Sequence, residues 1–427
     1  MSLRSINHLT VVGDASGPGT WSGIPVHFWQ AAQKAGWTLE PWRLELEPFR
    51  WPRRWWNLAQ TLRGRGPGGF QYSAAFLNRA EAAIPAELWP GRVLSFSQHF
   101  PRARSVAARG GQLLHYIDAT LASFCAPGGL EARLPARVRA EACRLERENF
   151  AGSERVVTMA RWAAESAVYL CGVSRARLAT ILPGANVDLP ADYAFPVPSG
   201  RPGSDRPLVL GFVGKDWRRK GLPFLLAVRA ELERRGVRAE VHCAGHGPAD
   251  LGRQAGVVFT GFIDKAREPG RFLEFLTGCD LGCLFSTHEP LGISTLEFLR
   301  AGVPVCGFAV EGLADTLPPD AGFRFAPHAT ASEVAETLQA AYRDDAVVER
   351  LRSAAQVWSP LVTWERCIGE WTELLEHGCI AHPVQPWRGI APRGNPRRDL
   401  SRLDPSGLGG AVATFSSESG TQTDHEN

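Results

Sequence analysis

The sequence predicts an α/β protein built from two doubly wound domains that lie side by side. Short apolar runs alternate with helical stretches, stop at a Pro-, Gly- and Ser-rich stretch from Asp188 to Pro207, and then start again. The chain has 427 residues, which is more than one compact core usually holds. Two such domains side by side form a cleft, and that cleft is where we expect a ligand.

The first half opens with a strand, a glycine-rich loop and a helix. Leu9–Gly13 predicts a buried strand, and residues 13–23 predict the loop. Ile24–Ala35 has helical spacing and stops at Gly36, a residue that favours helix ends. The further elements of this half are strands at Arg92–Phe96, Gln112–Ile117 and Arg155–Met159, helices at Pro135–Phe150 and Arg161–Cys171, and a last strand and loop at 180–188.

The second half repeats this alternation, which indicates a second parallel sheet. Its predicted elements are strands at Leu208–Val213, Ala239–Ala244, Val257–Thr260, Leu281–Ser286 and Val303–Phe308, and helices at Leu222–Arg235, Arg271–Leu276, Ile293–Arg300, Ala331–Asp344 and Leu361–Glu376. We therefore predict an N-terminal domain at 1–190, a linker at 191–207, a C-terminal domain at 208–358, a C-terminal helix that can cross back to the N-terminal domain at 359–380, and a disordered tail at 381–427.

Composition and charge exclude several classes of protein. Hydrophobic residues make up 44% and charged residues 21%, as in ordinary globular proteins, and a net charge of +3 argues against a nucleic-acid partner. The sequence lacks a basic start followed by an apolar secretory segment, and no run reaches about 18 apolar residues. These features predict a cytoplasmic protein.

Cysteine and lysine are distributed in an informative way. The nine cysteines are scattered, and several lie inside apolar runs, which favours reduced, buried thiols over disulfides. Cys279 and Cys283 form the closest pair, but no second Cys/His pair accompanies them, so we expect core residues and no metal site. Lysine is rare and occurs only at Lys34, Lys215, Lys220 and Lys265.

The most informative stretch, 286–304, reads as a strand end, a loop and a helix start. Glu289 lies in the loop, and Glu297 lies farther along the helix. Unpaired N–H groups in the first helical turn, aided by the helix dipole, form an anion site. A carboxylate accepts several hydrogen bonds and therefore suits vicinal hydroxyls. These parts could hold a diphosphate, with one glutamate on a sugar and the other on a ribose. The first turn contains Gly292, Ser294 and Thr295.

This stretch resembles glycosyltransferase family 4, a group with the GT-B fold of two Rossmann-like domains. The resemblance rests on Glu289, seven intervening residues, Glu297, and the ending Ala-Gly-Val-Pro at 301–304. Upstream, residues 211–221 are similar to the family's strand–Gly-Arg-x-x-x-x-Lys-Gly element. Lys220 matches its lysine, whereas Lys215 stands where the family usually has arginine, so bidentate phosphate recognition is lost there.

Further loops extend the resemblance over nearly the whole ordered chain. Residues 244–248 and 260–264 are similar to the family's nucleotide-facing loops, and residues 17–25 are similar to its glycine loop. The donor contacts that the resemblance implies are Gly19, Gly23, Lys215, Lys220, Phe262, Ile263, Leu291, Gly292, Ser294, Thr295 and Glu297.

The family resemblance implies a retaining glycosyltransferase. It would move a sugar from a nucleoside diphosphate to a glycan, lipid-linked or other cell-envelope acceptor. Glu289 would hold the donor sugar and stabilise the oxocarbenium-like centre. The lysines, Lys220 above all, would neutralise the leaving diphosphate, so no metal and no bound cofactor is required. Asp118 is a further catalytic candidate at the cleft, with a structural role as its alternative, whereas we expect structural roles for His99 and His115.

Two alternatives to a transferase remain open at this stage. The first is a catalytically inactive GT-B-fold adaptor that binds nucleotide or glycan, and the second is another two-Rossmann enzyme, such as a nucleotide-sugar epimerase. The intact pair of glutamates together with Lys220 favours the transferase, because a scaffold has no need to keep these residues together.

Residues 41–70 interleave tryptophan with arginine, a pattern typical of membrane interfaces. They indicate either a peripheral contact with an anionic membrane surface or a local cap over the first domain.

Overall fold

The computed structural model describes residues 6–64, 66–126, 129–196 and 199–384, and these residues form two parallel β-sheets flanked by helices. Of the disordered tail predicted at 381–427, everything from 385 onward lies outside the described residues. The same holds for residues 197–198 of the predicted linker.

The N-terminal sheet has six parallel strands in the order β2-β1-β3-β4-β5-β6. These strands are His8–Thr10 (β1), Glu40–Pro41 (β2), Gly91–Ser95 (β3), Gly111–Ile117 (β4), Arg155–Thr158 (β5) and Leu178–Thr180 (β6). The helices of this half are Ile24–Lys34 (α1), Arg50–Leu62 (α2), Ala74–Ala82 (α3), Ala103–Ala107 (α4), Leu121–Phe124 (α5), Ala136–Gly152 (α6) and Arg161–Cys171 (α7).

The C-terminal sheet also has six parallel strands, in the order β12-β11-β10-β7-β8-β9. The strands are Leu208–Gly214 (β7), Ala239–Gly245 (β8), Val257–Gly261 (β9), Leu281–Leu284 (β10), Val305–Phe308 (β11) and Gly322–Phe325 (β12). The helices are Leu222–Arg234 (α8), Pro269–Thr277 (α9), Ile293–Arg300 (α10), Ala331–Tyr342 (α11), Asp345–Trp358 (α12) and Trp364–His377 (α13).

The strand orders determine where each sheet can bind a ligand. The strand order changes direction between β1 and β3 in the first sheet and between β7 and β10 in the second. Ligands of open parallel sheets bind at the carboxyl ends of the strands, at such switch points. The loops after these four strands are therefore the expected site.

The last helix, α13, packs on the N-terminal sheet although it follows the C-terminal one. The ring of Trp371 lies 5.9 Å from the ring of Phe28 in α1 and 5.3 Å from that of Tyr116 in β4. The Trp364 indole donates a 3.0 Å hydrogen bond to Asn186. Both tryptophans are buried, so α13 supplies part of the N-terminal hydrophobic core.

The structure adds elements that the sequence pattern did not predict. The helix predicted at 331–344 is α11, and it is followed by a helix that was not predicted, α12, which begins where the Asp344 side chain accepts from the amide of Ala346. The strands β2 and β12 were also missed, since both are short and lie at sheet edges.

Candidate active site

A cavity of about 370 Å³ lies between the two halves at their switch points. The N-terminal half contributes the glycine-rich loop, and the C-terminal half contributes the loops after β7, β8 and β9 and the start of α10. Eight of the predicted donor contacts line this one cavity: Gly19, Gly23, Lys215, Lys220, Phe262, Ile263, Ser294 and Glu297.

The loop that carries Glu289 is held between two other loops. On one side, the Thr287 amide donates to the Arg219 carbonyl (3.1 Å), and the Arg219 guanidinium donates to the His288 carbonyl (2.6 Å). On the other side, the Leu313 amide donates to the Glu289 carbonyl (3.1 Å). The loop is therefore fixed along its whole length.

The Glu289 carboxylate is buried, and three donors converge on one of its oxygens. Its Oε2 accepts from Lys220 Nζ at 2.9 Å, from Ser286 Oγ at 3.2 Å and from Arg219 Nη1 at 3.3 Å. Burial alone would raise the pKa of Glu289, but Lys220 and Arg219 outweigh burial and hold that pKa below its ordinary value. Glu289 is therefore an anion at neutral pH.

The Glu297 carboxylate is buried too, and it has one cationic partner. Lys265 donates to its Oε1, and Lys265 also lies over the Phe272 ring, 4.5 Å from its centroid. Within the described residues, Oε2 of Glu297 has no hydrogen-bond partner. Burial raises the pKa of Glu297 in spite of the attraction of Lys265. The side chain lines the cavity, so the free oxygen can accept a hydrogen bond from a ligand.

Not every predicted residue of the first helical turn lines the cavity. Gly292 has φ +78° and precedes α10, and Ser294 lines the cavity. Thr295 is buried, and both its amide (2.9 Å) and its hydroxyl (2.7 Å) donate to the Gly292 carbonyl. Leu291 is buried in the core that contains α13. The side chains of Leu291 and Thr295 thus support the turn from within.

Lys215 and Lys220 approach the cavity in different ways. Lys215 Nζ lies 5.3 Å from the centre of the Phe262 ring, an arrangement that favours a cation over the ring face. Lys220 instead reaches Glu289. Both line the cavity, as do Arg219 and Lys265, so four cationic side chains lie on its C-terminal side.

Asp118 follows β4 and lies near the Glu289 loop. Its Oδ1 has no hydrogen-bond partner among the described residues. Burial, with a further contribution from Glu289 and Glu311, raises the pKa of Asp118 to about 7. His99 and His115 are buried deeper, and burial lowers their pKa values to about 4 and about 3, so both are neutral.

Three residues of this site were missed by the sequence reading: Arg219, Lys265 and Glu311. The rarity of lysine was a signal that could have identified Lys265. Glu311 belongs to the turn after β11, at Glu311–Asp315, and its Oε2 accepts from the Glu289 amide at 2.8 Å. No motif marks it, because the contact depends on how β10 and β11 pair.

Cysteines and carboxylates form no metal site in the part of the chain that the structure describes, where no group of three or more His, Cys, Asp or Glu could hold a metal ion. Cys279 and Cys283 are buried free thiols of the C-terminal core. Nor does any described helix have the length and apolar character needed to cross a bilayer.

Sequence comparison links the C-terminal half to a family. Residues 207–344 match the family described as Glycosyl transferases group 1. The 2-deoxystreptamine glucosyltransferase of Streptomyces kanamyceticus is 31% identical over 159 residues, which are 35% of this chain and 40% of that protein. The glycogen synthase of Alkalilimnicola ehrlichii is 32% identical over 186 residues, 37% of this chain and 38% of that protein. The chain thus spans about two fifths of these relatives.

Structural comparison covers both halves. The sucrose-phosphate synthase of Thermosynechococcus elongatus has a TM-score of 0.63 at 16% identity, over 87% of this chain and 98% of that one. Anabaena HepE, solved in complex with UDP and glucose, has a TM-score of 0.58 at 14% identity, over 87% of this chain and 100% of that one. At this identity the likeness concerns the fold alone. The prediction of two Rossmann-like domains in a GT-B arrangement is confirmed.

Proposed function

We propose that this protein is a retaining glycosyltransferase that moves a sugar from a nucleoside diphosphate to a glycan, lipid-linked or other cell-envelope acceptor. The observation that carries the proposal is the pair of buried glutamates, Glu289 and Glu297. Each is paired with its own lysine. Glu297 lines the cavity at the switch points of the two sheets, and Glu289 contacts Lys220 and Arg219, which line it. The family match of residues 207–344 supports the same activity.

The proposed donor pose follows from the charges around the cavity. Oε2 of Glu297 accepts a ribose hydroxyl, because this buried oxygen has no other partner in the described part of the chain. The diphosphate lies between the start of α10 and the cations Lys215 and Lys220. The sugar then extends toward Glu289, whose loop lies on the far side of Lys220.

In the proposed reaction the bond between the anomeric carbon and the diphosphate oxygen breaks, and a bond from the acceptor oxygen forms on the same face. The acceptor proton passes to the departing diphosphate. Positive charge develops on the sugar ring, and the Glu289 anion stabilises it without reorganising. Lys215 and Lys220 stabilise the negative charge that develops on the leaving group, so the proposed reaction is independent of a metal ion.

A thermal-shift experiment tests the donor site first. The purified protein is melted with UDP, GDP, ADP and TDP and with their sugars, in buffer without added metal. One nucleotide should raise the melting temperature and thereby identify the base. UDP-glucose is the first sugar to include, because one relative is named a glucosyltransferase. Glu297→Ala is the matched variant and should give a smaller shift at the same nucleotide concentration. A wild-type protein that responds to none of the nucleotides would contradict the proposed donor site.

We also propose that the protein works at the cytoplasmic face of an anionic membrane, which residues 41–70 contact. The helix α2 exposes Trp51 and Trp55 (67% each), Leu58 (47%) and Leu62 (79%). These positions, spaced by four, three and four, share one face of the helix. The sequence of α2 contains no Asp or Glu, and its arginines Arg53 and Arg54 are exposed. An exposed apolar stripe flanked by arginine suits an anionic lipid surface.

Vesicle sedimentation tests this contact. The protein should bind phosphatidylglycerol vesicles about tenfold better than phosphatidylcholine vesicles, and the double variant W51S/W55S should lose that preference. Val357→Ser on α12, which removes a side chain that is 66% exposed in the other half, is the matched control and should bind like the wild type. If W51S/W55S bound phosphatidylglycerol vesicles as well as the wild type does, the result would contradict the membrane contact.

A further inference from the structure

Positive backbone φ at residues other than glycine occurs in two places of the described chain, the glycine-rich loop and the turn after β11. Among the described residues, only three other than glycine have positive φ: Trp21 (47°), Ser22 (57°) and Glu311 (43°). Trp21 and Ser22 belong to the glycine-rich loop on the N-terminal wall, and Ser22 lines the cavity. Glu311 belongs to the turn after β11, and its side chain contacts the loop that carries Glu289. A side chain in the left-handed region is unfavourable and persists where its surroundings hold it.

The strained Glu311 makes two hydrogen bonds to the loop that carries Glu289. Its Oε2 accepts from the Glu289 amide at 2.8 Å. Its Oε1 lies 3.0 Å from Nδ1 of His288, which donates to it. One carboxylate therefore fixes two consecutive residues, the second of which is the buried anion of the site.

The turn that contains Glu311 packs directly on the same loop. The Leu313 amide donates to the Glu289 carbonyl at 3.1 Å. A Cβ on Gly312 would come within 1.6 Å of the Pro290 carbonyl oxygen, so only glycine fits there. The backbone of Glu289 is thus bonded at both its amide and its carbonyl by this single turn.

Glycine would adopt the backbone conformation of position 311 without strain, so the fold itself does not require a side chain there. What glutamate adds is the pair of hydrogen bonds to His288 and Glu289. We propose that Glu311 is a positioning residue that holds the Glu289 carboxylate at the donor sugar. This role rests on the proposed function, because it assigns Glu311 to the reaction that Glu289 serves.

Two substitutions separate positioning from folding. Glu311→Gly removes the carboxylate and relieves the positive φ. Glu311→Gln keeps both contacts, because its oxygen can accept from the Glu289 amide while its amide donates to a neutral His288. If Glu311 positions Glu289, Glu311→Gly should lose about 10- to 100-fold in kcat with unchanged UDP affinity. The kcat of Glu311→Gln should stay within about threefold of that of the wild type.

Three measurements decide the outcome: UDP release from UDP-glucose, UDP affinity by calorimetry, and hydrogen exchange of the peptide that spans 286–292. The Glu289 amide should exchange about tenfold faster in Glu311→Gly than in the wild type or Glu311→Gln, because its acceptor is gone. The melting temperature of Glu311→Gly should equal or exceed that of the wild type, which excludes misfolding as the cause.

The outcomes of this experiment distinguish the two proposals. Wild-type kcat and wild-type exchange in Glu311→Gly would overturn the positioning role while leaving the transferase intact. A wild-type protein that binds no nucleotide and releases no UDP would overturn the proposed function. In that case the exchange rate still decides whether Glu311 holds the loop, and an unchanged rate in Glu311→Gly would reject the positioning role as well.

Discussion

Two buried glutamates, eight positions apart along the chain, have pKa values that are shifted in opposite directions. Glu289 receives hydrogen bonds from a lysine, an arginine and a serine, and its pKa is lowered. Glu297 has a lysine alone, one oxygen without a partner in the described residues, and a raised pKa. Burial acts on both in the same direction, so the number of cationic partners makes the difference.

This difference indicates two different tasks for the same chemical group. A carboxylate held by two cations keeps its charge and its place, which suits the stabilisation of a developing cation. A buried carboxylate oxygen without a partner can accept a hydrogen bond from a ligand, which suits recognition of a hydroxyl. The proposed function thus assigns catalysis to one loop and binding to one helix.

The strongest test of this separation is Glu289→Gln. Glutamine keeps the shape of the side chain but removes the charge that the proposed pose places at the sugar, so kcat should fall by about 100- to 1000-fold. Nucleotide affinity, measured by calorimetry with UDP, should stay within about threefold of the wild type. A variant that binds UDP poorly but turns over normally would reverse the two assignments.

Glu297→Ala should have the complementary effect. Loss of a hydrogen bond to a charged acceptor weakens binding, and we expect about a tenfold rise in the Kd for UDP. At saturating donor, kcat should remain close to that of the wild type. Donor affinity that does not change would count against the ribose contact.

Replacement of Lys265 by methionine should turn the Glu297 site into a pH-dependent one. Burial already raises the pKa of Glu297, and removal of the opposing cation raises it further. A protonated carboxyl is a poorer acceptor, so UDP affinity of the variant should fall about threefold more than that of the wild type between pH 8.5 and pH 6. Lys34→Met on α1 serves as the control, and parallel pH profiles for all three proteins would refute the coupling.

Asp118 extends the comparison to a carboxyl group whose pKa is raised to about 7, against an ordinary value of 3.8. In the unfolded chain the Asp118 carboxyl group ionises above about pH 4, whereas in the folded protein it keeps its proton until about pH 7. Stability is therefore lost as the pH rises through this window, and it stays lower above it. Asp118→Asn should remove that loss and raise Tm by about 5 °C at pH 8, with little change at pH 4. A Tm gain that is the same at both pH values would contradict the raised pKa.

The C-terminal half was more predictable than the N-terminal half. Glu289, Glu297 and Lys220 lie in short strings that resemble the motifs of a known family, and that resemblance predicts the site. Lys265 and Glu311 could not be found in this way, because they reach the glutamates across 32 and 22 positions of sequence. Their contacts depend on which strands become neighbours, and spacing carries no information on that.

In the N-terminal half, the tryptophans of 41–70 show the limit of composition. Trp42 is 1% exposed and packs on Trp89, whereas Trp51 and Trp55 are 67% exposed on α2. One segment therefore contains a core residue and an exposed stripe, and composition alone does not tell them apart. Only the direction in which each side chain points separates them.

The return of α13 to the first sheet has a consequence for biosynthesis. The ribosome releases the N-terminal half first, yet Trp364 and Trp371 of that half's core are made after the entire second sheet. The N-terminal half therefore cannot finish folding during its own synthesis, and it remains incomplete until residue 377 has left the exit tunnel. The second sheet, whose strands and core helices lie between 208 and 358, has all its parts by then. The C-terminal half, which is made last, can thus fold before the N-terminal half, whereas domains usually fold in the order of their synthesis.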